Sequence, residues 1–257
     1  MSYSKELDIA RKAALKAGEI HRASRSAIKN IVLKDDLSPV TEVDKKCEAL
    51  IREMLLKNFP GDGFLGEETG HEKGSSGRTW IVDPLDGTRP YIRNIPTYSA
   101  LIALEEDGSL AVGVMHISAM DETYYAQRGG GAFCNGEHIR VSSTDTLSRA
   151  LGSSLGFVEK AESPESACLL RLMSSWDYTY GFMDAYTYGC IASGKIDACV
   201  NLLDRSWDCA AAACIIKEAG GRFSDISGRE NIHNGSSVIT NGIIHDSVLS
   251  YFSELHS

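Results

Sequence analysis

Residues 79–88, Thr-Trp-Ile-Val-Asp-Pro-Leu-Asp-Gly-Thr, decide the fold and carry the clearest sign of chemistry. Residues 80–82 form a short apolar run with the aromatic and β-branched content of a buried strand. Pro84 lacks a backbone donor and has a fixed φ, so we expect the strand to stop at Asp83. The stretch therefore predicts a buried strand that ends in an oxygen-rich turn.

Asp83 and Asp86 place two carboxylates at the mouth of this strand, and the turn at Gly87 and Thr88 offers N–H groups and a hydroxyl to an anion. Carboxylates and an anion repel each other unless a cation lies between them. Hard oxygen ligands favour Mg²⁺, Mn²⁺ or Ca²⁺. Aspartates in such dipeptides also cap turns and short helices, which is the purely structural alternative. We favour a metal-assisted phosphate site.

Composition and charge bound the class of protein. The 257 residues are 43% hydrophobic and 24% charged, as in a globular protein with a large core. The net charge of −9 disfavours binding to nucleic acid or an anionic membrane, since both need a basic surface. We expect neither a membrane span nor a signal peptide, because no long apolar run is present. Seven scattered cysteines without CxxC pairs indicate core residues in a reducing cytoplasm.

The N-terminal part, residues 1–145, is predicted to place two helices on an antiparallel sheet. Apolar residues at three- or four-residue spacing predict a helix over 4–28 with Ser4 as its N-cap. The capping-box segment 41–44 opens a second helix that ends near residue 58. The other predicted elements are strands over 64–66, 97–104, 110–117 and 122–127, a short helix or turn over 88–94, turns at 61–63 and 129–136, a loop over 30–40 and a mobile surface loop over 68–77.

The C-terminal part, residues 146–257, alternates strands and helices, which is typical of an α/β layer. The predicted strands cover 151–157, 196–200, 221–224 and 238–240. The predicted helices cover 163–173, 184–193, 208–219 and 246–252. The chain as a whole is therefore expected to combine an α+β part with an α/β part.

Further acidic positions are candidates for the same site. Asp44 lies in the first turn of the second helix, and Glu67 and Glu68 follow a short apolar strand. Asp208 follows Trp207, where a loop enters an apolar helix. Each also has a purely structural interpretation. Asp44 could interact with the helix dipole, Glu67 and Glu68 could be loop acids in water, and Asp208 could be an N-cap. A carboxylate at the N-terminus of a buried helix can cap it and hold a cation at once.

Taken together, Glu67-Glu68, the stretch 83–88 and Trp207-Asp208 resemble the inositol monophosphatase superfamily of Mg²⁺-dependent, often lithium-inhibited phosphatases. The resemblance extends to 40–44, 129–136 and 218–221. It implies a layered α-β-α-β-α sandwich of the inositol monophosphatase and fructose-1,6-bisphosphatase type. It also implies a homodimer and two to three Mg²⁺ ions per site, for which Mn²⁺ or Ca²⁺ can substitute.

The resemblance implies roles for individual residues as well. The metal ligands are expected to be oxygen atoms of Glu67, Asp83, Leu85 (its carbonyl), Asp86 and Asp208. Gly87 and Thr88 would bind phosphate through backbone N–H groups. Glu67, Asp44 and Thr88 are the expected catalytic residues, with Asp44 and Thr88 positioning the attacking water. Such a water attacks in line, without a covalent enzyme intermediate.

Two branches of the superfamily, which act on different substrates, are candidates for this chain. Inositol monophosphatases carry a polyol-binding glutamate at the position of Asn201. Histidinol-phosphate phosphatases show a G-D-F/Y segment, of which residues 183–186 keep the aspartate, Asp184, and a nearby aromatic. That branch also usually carries a glutamate at Asn201, and a basic residue where this chain has Arg89. Asp184 would receive the cationic amine of histidinol phosphate, or else cap a helix.

We therefore expect a phosphomonoesterase acting on histidinol phosphate. The alternatives are inositol 1-phosphate, or a nucleotide 3′-phosphate or sugar phosphate. The expected substrate contacts are Asp86, Asp184, Asn201, Arg205 and Asp208. A metal-binding regulatory or RNA-associated protein and a structural protein are the non-enzymatic alternatives. The acidic charge argues against direct RNA binding, and the intact set of acidic ligands argues for an active enzyme.

Overall fold

A computed structural model of the chain describes residues 2–25, 32–33, 39–158, 160–181 and 184–255. Predictions for the end of the first helix (26–28), for most of the loop over 30–40 and for Met183 lie outside these ranges. Within them, no helix is both long enough and apolar enough to span a membrane.

The described elements follow the order that the sequence predicts, with several additions. The helices are α1 (Ser4–Ser24), α2 (Glu42–Asn58), α3 (Thr88–Ile92), α4 (Pro164–Met173), α5 (Tyr186–Ala192), α6 (Ser206–Glu218) and α7 (His245–Leu249). The strands are β1 (Val32–Leu33), β2 (Pro39–Val40), β3 (Gly63–Gly66), β4 (Gly70–Glu72), β5 (Arg78–Asp86), β6 (Ser99–Glu106), β7 (Ser109–Ile117), β8 (Glu122–Gln127), β9 (Ala132–Cys134), β10 (Glu137–Ile139), β11 (Leu151–Leu155), β12 (Tyr178–Tyr180), β13 (Ala198–Asn201), β14 (Arg222–Ser224) and β15 (Ser237–Thr240).

Two sheets and the helices around them form five layers. Helices α1 and α2 bury their apolar faces on an eight-stranded sheet, around residues such as Trp80 and Ile51. Helices α5 and α6 lie between that sheet and a five-stranded one, and residues 209–216 of α6 are all buried. Helices α4 and α7 cover the outer face of the second sheet. This arrangement confirms the predicted α-β-α-β-α sandwich.

Strand order brings the acidic segments to one edge of the first sheet. Its order is β10-β9-β8-β7-β6-β5-β3-β4, and only the β3–β5 pair is parallel among its described pairs. Gly66 at the end of β3 pairs with Val82 of β5. Because parallel strands end on the same side, Glu67 after β3 comes next to Asp83 of β5. The predicted antiparallel sheet therefore has one parallel pair, and that pair builds the site.

The strand β5 does not stop at Asp83, so that prediction was wrong. It continues to Asp86, and its register with β6 shifts between Asp83 and Asp86. Pro84 lies in this irregularity, where no backbone hydrogen bond between β5 and β6 requires the N–H that proline lacks. The shift leaves two consecutive residues, Pro84 and Leu85, out of the pairing before it resumes between Asp86 and Ser99.

Other local predictions also need correction. Ser4 is the first residue of α1 and Tyr3 the N-cap, without a side-chain cap. The predicted mobile loop over 68–77 contains β4, which pairs with β3, and the predicted turn over 129–136 contains β9. Asp208 is the third residue of α6, whose N-cap is Arg205. The predicted capping box at Thr41 and Asp44 is confirmed.

Gly113 of β7 allows α6 to lie directly against the first sheet. A Cβ there would come within 2.4 Å of the Ala211 carbonyl oxygen and 2.9 Å of Cys214 Cβ. We expect Gly113→Ala to lower the free energy of unfolding by about 1–3 kcal/mol, because the added methyl overpacks this contact. A urea denaturation series measures the change. Gly181→Ala is the control, since nothing lies within 4 Å of a Cβ there. An unchanged midpoint for Gly113→Ala would contradict the close packing.

Candidate active site

A cavity of about 310 Å³ opens between the two sheets, where β5 ends and α6 begins. Its walls come from the ends of β3 and β5 with the start of α3, the segment before α5 with the first turn of that helix, the ends of β11 and β13, and the start of α6. The lining residues are Glu67, Asp83, Leu85, Asp86, Gly87, Thr88, Leu155, Gly156, Asp184, Ala185, Tyr188, Asn201, Leu203 and Asp208. Acidic residues from both parts of the chain therefore meet in one cavity.

Asp83, Asp86 and Asp208 form the centre of this cavity, and we refer to them as the acid triad. One carboxylate oxygen from each lies within 4.8 Å of the others. Burial raises the pKa of Asp83 well above its ordinary value, and the negative charges of Glu67, Asp86 and Asp208 raise it further. Burial and neighbouring carboxylates likewise raise the pKa values of Asp86 and Asp208. A cation would relieve this repulsion.

The donor set fits a hard divalent cation. All three side chains offer oxygen atoms, with no thiolate or imidazole among them, which suits Mg²⁺, Mn²⁺ or Ca²⁺. The protein already holds one oxygen of each carboxylate. The donors are Leu85 N to Asp83 (2.9 Å), Ser99 Oγ (2.9 Å) and Ala185 N (3.1 Å) to Asp86, and Arg205 N to Asp208 (2.9 Å). These bonds fix the triad before any ligand binds.

Glu67 lines the cavity beside the triad, and its segment is held from α2. The Glu67 backbone N donates to the Val82 carbonyl at 3.2 Å, which continues the β3–β5 pairing. The buried Glu48 accepts from the Glu68 backbone N at 2.9 Å. A Cβ at Gly66 would lie 2.5 Å from the Glu48 carboxylate, so only glycine fits at the end of β3. Sequence reasoning did not find Glu48, which looks like any polar residue on α2.

The turn after Asp86 presents backbone and hydroxyl groups to the cavity. Gly87 has φ of 77°, and a Cβ would lie 3.3 Å from Tyr98 Cα, so the turn requires glycine. The Thr88 hydroxyl lies 3.1 Å from Asp44 Oδ1 and 3.0 Å from the Leu85 carbonyl oxygen. It can donate to either acceptor.

Asp44 is held behind that hydroxyl and does not line the cavity itself. Its Oδ2 accepts from Thr41 N at 2.8 Å and from Thr41 Oγ1 at 2.6 Å. Burial raises the pKa of Asp44. The capping box of α2 therefore also aims a carboxylate at Thr88, so both readings of Asp44 as a cap and as a site residue are compatible with its position.

His21 of α1 supports the same turn from behind, and sequence reasoning missed it. Its Nε2 lies 2.9 Å from the Pro84 carbonyl oxygen and its Nδ1 2.8 Å from Ser118 Oγ. Burial lowers the pKa of His21 to about 3, so the ring is neutral near pH 7. The periodicity of α1 shows only that His21 faces the core.

Asp184 and Asn201 line the cavity, whereas the Arg205 side chain does not. Asp184 has φ of 45°, and its Oδ2 accepts from Thr97 Oγ1 at 3.0 Å. The N-cap of α5 is Ala185, so the reading of Asp184 as a helix cap was wrong. Arg205 is exposed and reaches the site through its backbone N. Contact between Arg205 and a substrate therefore stays a prediction.

Tyr188 and Asp204 are further residues that sequence reasoning missed. Tyr188 lines the cavity, and its hydroxyl donates to Asp204 Oδ2 at 3.2 Å. Burial raises the pKa of Asp204 to about 7. No local pattern marks this pair, because the two residues lie 16 positions apart on different elements.

Comparison with known proteins gives the same picture over the whole chain. A family sequence model described as "Inositol monophosphatase family" matches residues 2–257. The chain is 36% identical over 240 residues to a histidinol-phosphatase of Chlorobaculum parvum, covering 91% of each chain. It is 34% identical over 258 residues to an inositol-1-monophosphatase of Mesorhizobium japonicum, covering 97% of this chain and 96% of that one. Among solved structures, the Thermotoga maritima IMPase matches with a TM-score of 0.88 and 32% identity, covering 98% of each chain.

The five-layer fold and the acidic cavity define a phosphoric monoester hydrolase. More particularly, the chain belongs to the inositol monophosphatase family. The motifs around residues 67, 83–88 and 207–208 predicted a phosphomonoesterase of this family, and both the enzyme class and the family are confirmed.

Proposed function

We propose that this hydrolase uses Mg²⁺ to cleave histidinol phosphate. The choice of substrate rests on Asp184, a carboxylate in the cavity wall outside the acid triad. Its pKa is raised by burial, so a cationic partner would stabilise its ionised form. Histidinol phosphate carries an amine at the end away from the phosphate. Inositol 1-phosphate and sugar phosphates offer no positive charge for this position.

For the metal, we propose two to three Mg²⁺ ions held by Glu67, the acid triad and the Leu85 carbonyl. The triad's oxygen donors and raised pKa values support a divalent cation. Bound Mg²⁺ would supply positive charge that attracts the phosphate and stabilises charge on its oxygen atoms. The N–H groups of Gly87 and Thr88 would hold the phosphate on the opposite side.

The residues around the turn would handle the proton of the attacking water. The water oxygen forms a bond to phosphorus, the phosphorus–oxygen bond to the leaving alcohol breaks, and the leaving oxygen takes a proton from solvent. The Thr88 hydroxyl accepts a proton from the water while it gives its own to Asp44. Burial makes Asp44 a stronger base than an exposed aspartate, which favours this direction.

The substrate is tested by comparing kcat/KM for histidinol phosphate, inositol 1-phosphate, a nucleotide 3′-phosphate and a sugar phosphate with saturating Mg²⁺. We expect histidinol phosphate to have the highest value. A higher value for inositol 1-phosphate would favour that alternative, which the relative from Mesorhizobium japonicum supports by its name. Phosphate release from none of them would favour the non-enzymatic reading.

Asp184→Asn separates the two substrates further. We expect kcat/KM for histidinol phosphate to fall at least about 30-fold, because the variant removes one partner of a buried charge pair. The fall for inositol 1-phosphate should be much smaller, since inositol has no cation to lose. Asp177→Asn, at an exposed position, is the matched control. Equal losses on both substrates would show that Asp184 does not recognise the amine.

Three further features belong to the proposal. Residues 1–145 would carry most metal ligands, and residues 146–257 would carry Asp208 and the substrate wall. Seven free cysteines support a cytoplasmic location, where thiols stay reduced. We also propose a homodimer, which sedimentation equilibrium tests directly, and inhibition by lithium, which a titration of the activity tests.

A further inference from the structure

Asp204 is a buried carboxylate outside the acid triad. It is 1% exposed, and its Oδ2 accepts hydrogen bonds from the hydroxyls of Tyr188 and Ser237. Its Oδ1 is buried and has no hydrogen-bond partner among the described residues. Such a group costs stability, and its charge also raises the pKa of Asp208. An unfavourable group beside a crowded acidic site points to a functional reason for its presence.

The carboxylate sets the direction of the hydrogen bonds around it. Asp204 Oδ2 accepts from the hydroxyls of both Tyr188 and Ser237, so this oxygen carries no proton of its own and the single proton of the Tyr188 hydroxyl points at it. The Tyr188 oxygen is then free to accept from Asn201 Nδ2, which lies 3.3 Å away. The Asn201 Oδ1 accepts from Leu203 N at 3.0 Å. Every member of this chain therefore has a fixed donor or acceptor role.

Asn201 is also held by close packing from the opposite side. Gly156 has φ of 67°, and a Cβ there would lie 2.7 Å from Asn201 Oδ1 and 2.6 Å from Leu203 N. Only glycine lets the end of β11 approach so closely. Asn201 and Tyr188 are 8% and 2% exposed, and both line the cavity. The amide is therefore a rigid part of the wall.

We propose that Asp204 is a positioning residue that acts through Tyr188 to fix Asn201 as the substrate-selecting edge of the cavity. This edge offers one amide proton from Asn201 and one lone pair from Tyr188, and it carries no charge. It fits a phosphate monoester with a neutral group that both donates and accepts hydrogen bonds, such as a hydroxyl or an imidazole. The inference rests on the proposed function in one respect only, that esters are hydrolysed in this cavity.

The test compares Asp204→Asn and Tyr188→Phe with the unchanged chain, all with saturating Mg²⁺. Both variants keep the side-chain shape. Tyr188→Phe removes the hydroxyl, and Asp204→Asn introduces N–H donors, so the proton of Tyr188 is no longer held toward residue 204. The readout is the ratio of kcat/KM for the best ester of the substrate panel to kcat/KM for phenyl phosphate, which has no group to reach the edge. We expect this ratio to fall about tenfold, mainly through KM of the best ester, as for the loss of one hydrogen bond.

The double variant decides whether Asp204 acts through Tyr188. We expect it to lose no more than the larger single loss, because both changes remove the same fixed orientation of the Tyr188 hydroxyl. Additive losses, or equal losses on both esters, would overturn the proposal. Asp145→Asn and Tyr178→Phe at exposed positions are the controls, and thermal melting confirms that each variant is folded. Because the best ester defines the ratio, a panel in which histidinol phosphate is not preferred refutes the proposed substrate but leaves this test intact.

Discussion

Asp83→Asn is expected to lower kcat/KM for the best phosphate monoester by about 10³-fold, the equivalent of several kcal/mol of transition-state stabilisation by a metal ion. Asp83 is buried, with 2% of its surface exposed. The negative charges of Glu67, Asp86 and Asp208 all raise its pKa. The amide keeps the size of the side chain and can still accept from Leu85 N. It removes the charge that a cation needs.

The same variant should be more stable than the unchanged chain when a chelator is present. Removing one of several repelling charges relieves strain that the metal-free protein otherwise carries, so we expect a melting temperature about 2–4 °C higher, or roughly 1 kcal/mol. Asp145→Asn, which is exposed, should change neither activity nor melting. If Asp83→Asn kept most of its activity, or melted well below the unchanged chain in chelator, the reading of Asp83 as a metal ligand would fail.

Saturating Mg²⁺ is expected to raise the melting temperature of the unchanged chain by about 5–10 °C. A ligand at 100 times its dissociation constant stabilises the folded state by about 2.7 kcal/mol, and each kcal/mol shifts the melting of a chain of this size by about 2–4 °C. Calorimetric scans with Mg²⁺ and with chelator measure the shift. An unchanged melting temperature would contradict metal binding at the triad.

This shift should grow with pH. The pKa values of Asp83, Asp86 and Asp208 are raised in the folded chain above those of the unfolded chain. The folded state therefore binds more protons, and the stability that this contributes is present at low pH and lost as pH rises through the raised values. Mg²⁺ competes with these protons, so its effect is smallest at acidic pH. The Asp83→Asn variant should show a weaker pH dependence in chelator.

The centre of the site could be predicted from sequence because its chemistry is local. Asp83, Asp86 and the turn at Gly87 lie within five residues, and a strand ending in acids next to an anion-binding turn has few other uses. Asp208 was harder, since a helix N-terminus explains an aspartate equally well. The structure shows it in the same cluster as the other two.

Asp184 and Asn201 in the cavity wall could be named from the sequence, whereas Tyr188 and Asp204 could not, because their contact joins distant elements. The hydroxyl of Tyr188 meets Asp204 only when α5 packs beside the segment before α6. Pro84 shows that a local sequence rule can also be overridden by tertiary structure. The local rule that proline ends a strand is sound, but tertiary pairing with β6 carried β5 past it through a register shift. Sequence patterns thus describe single segments better than the places where segments meet.

The burial of α6 determines which parts of the cavity can be altered without disturbing the core. Asp208 is attached to a helix whose residues 209–216 are all buried between the two sheets, so a substitution there disturbs the core of the whole chain. Asp184, Asn201 and Leu203 line the cavity from outside this helix. Asp208 is therefore tied to the packing of the core in a way that these three wall residues are not. A substitution in the wall can therefore change the shape of the cavity while the helix that carries Asp208 stays packed as it is.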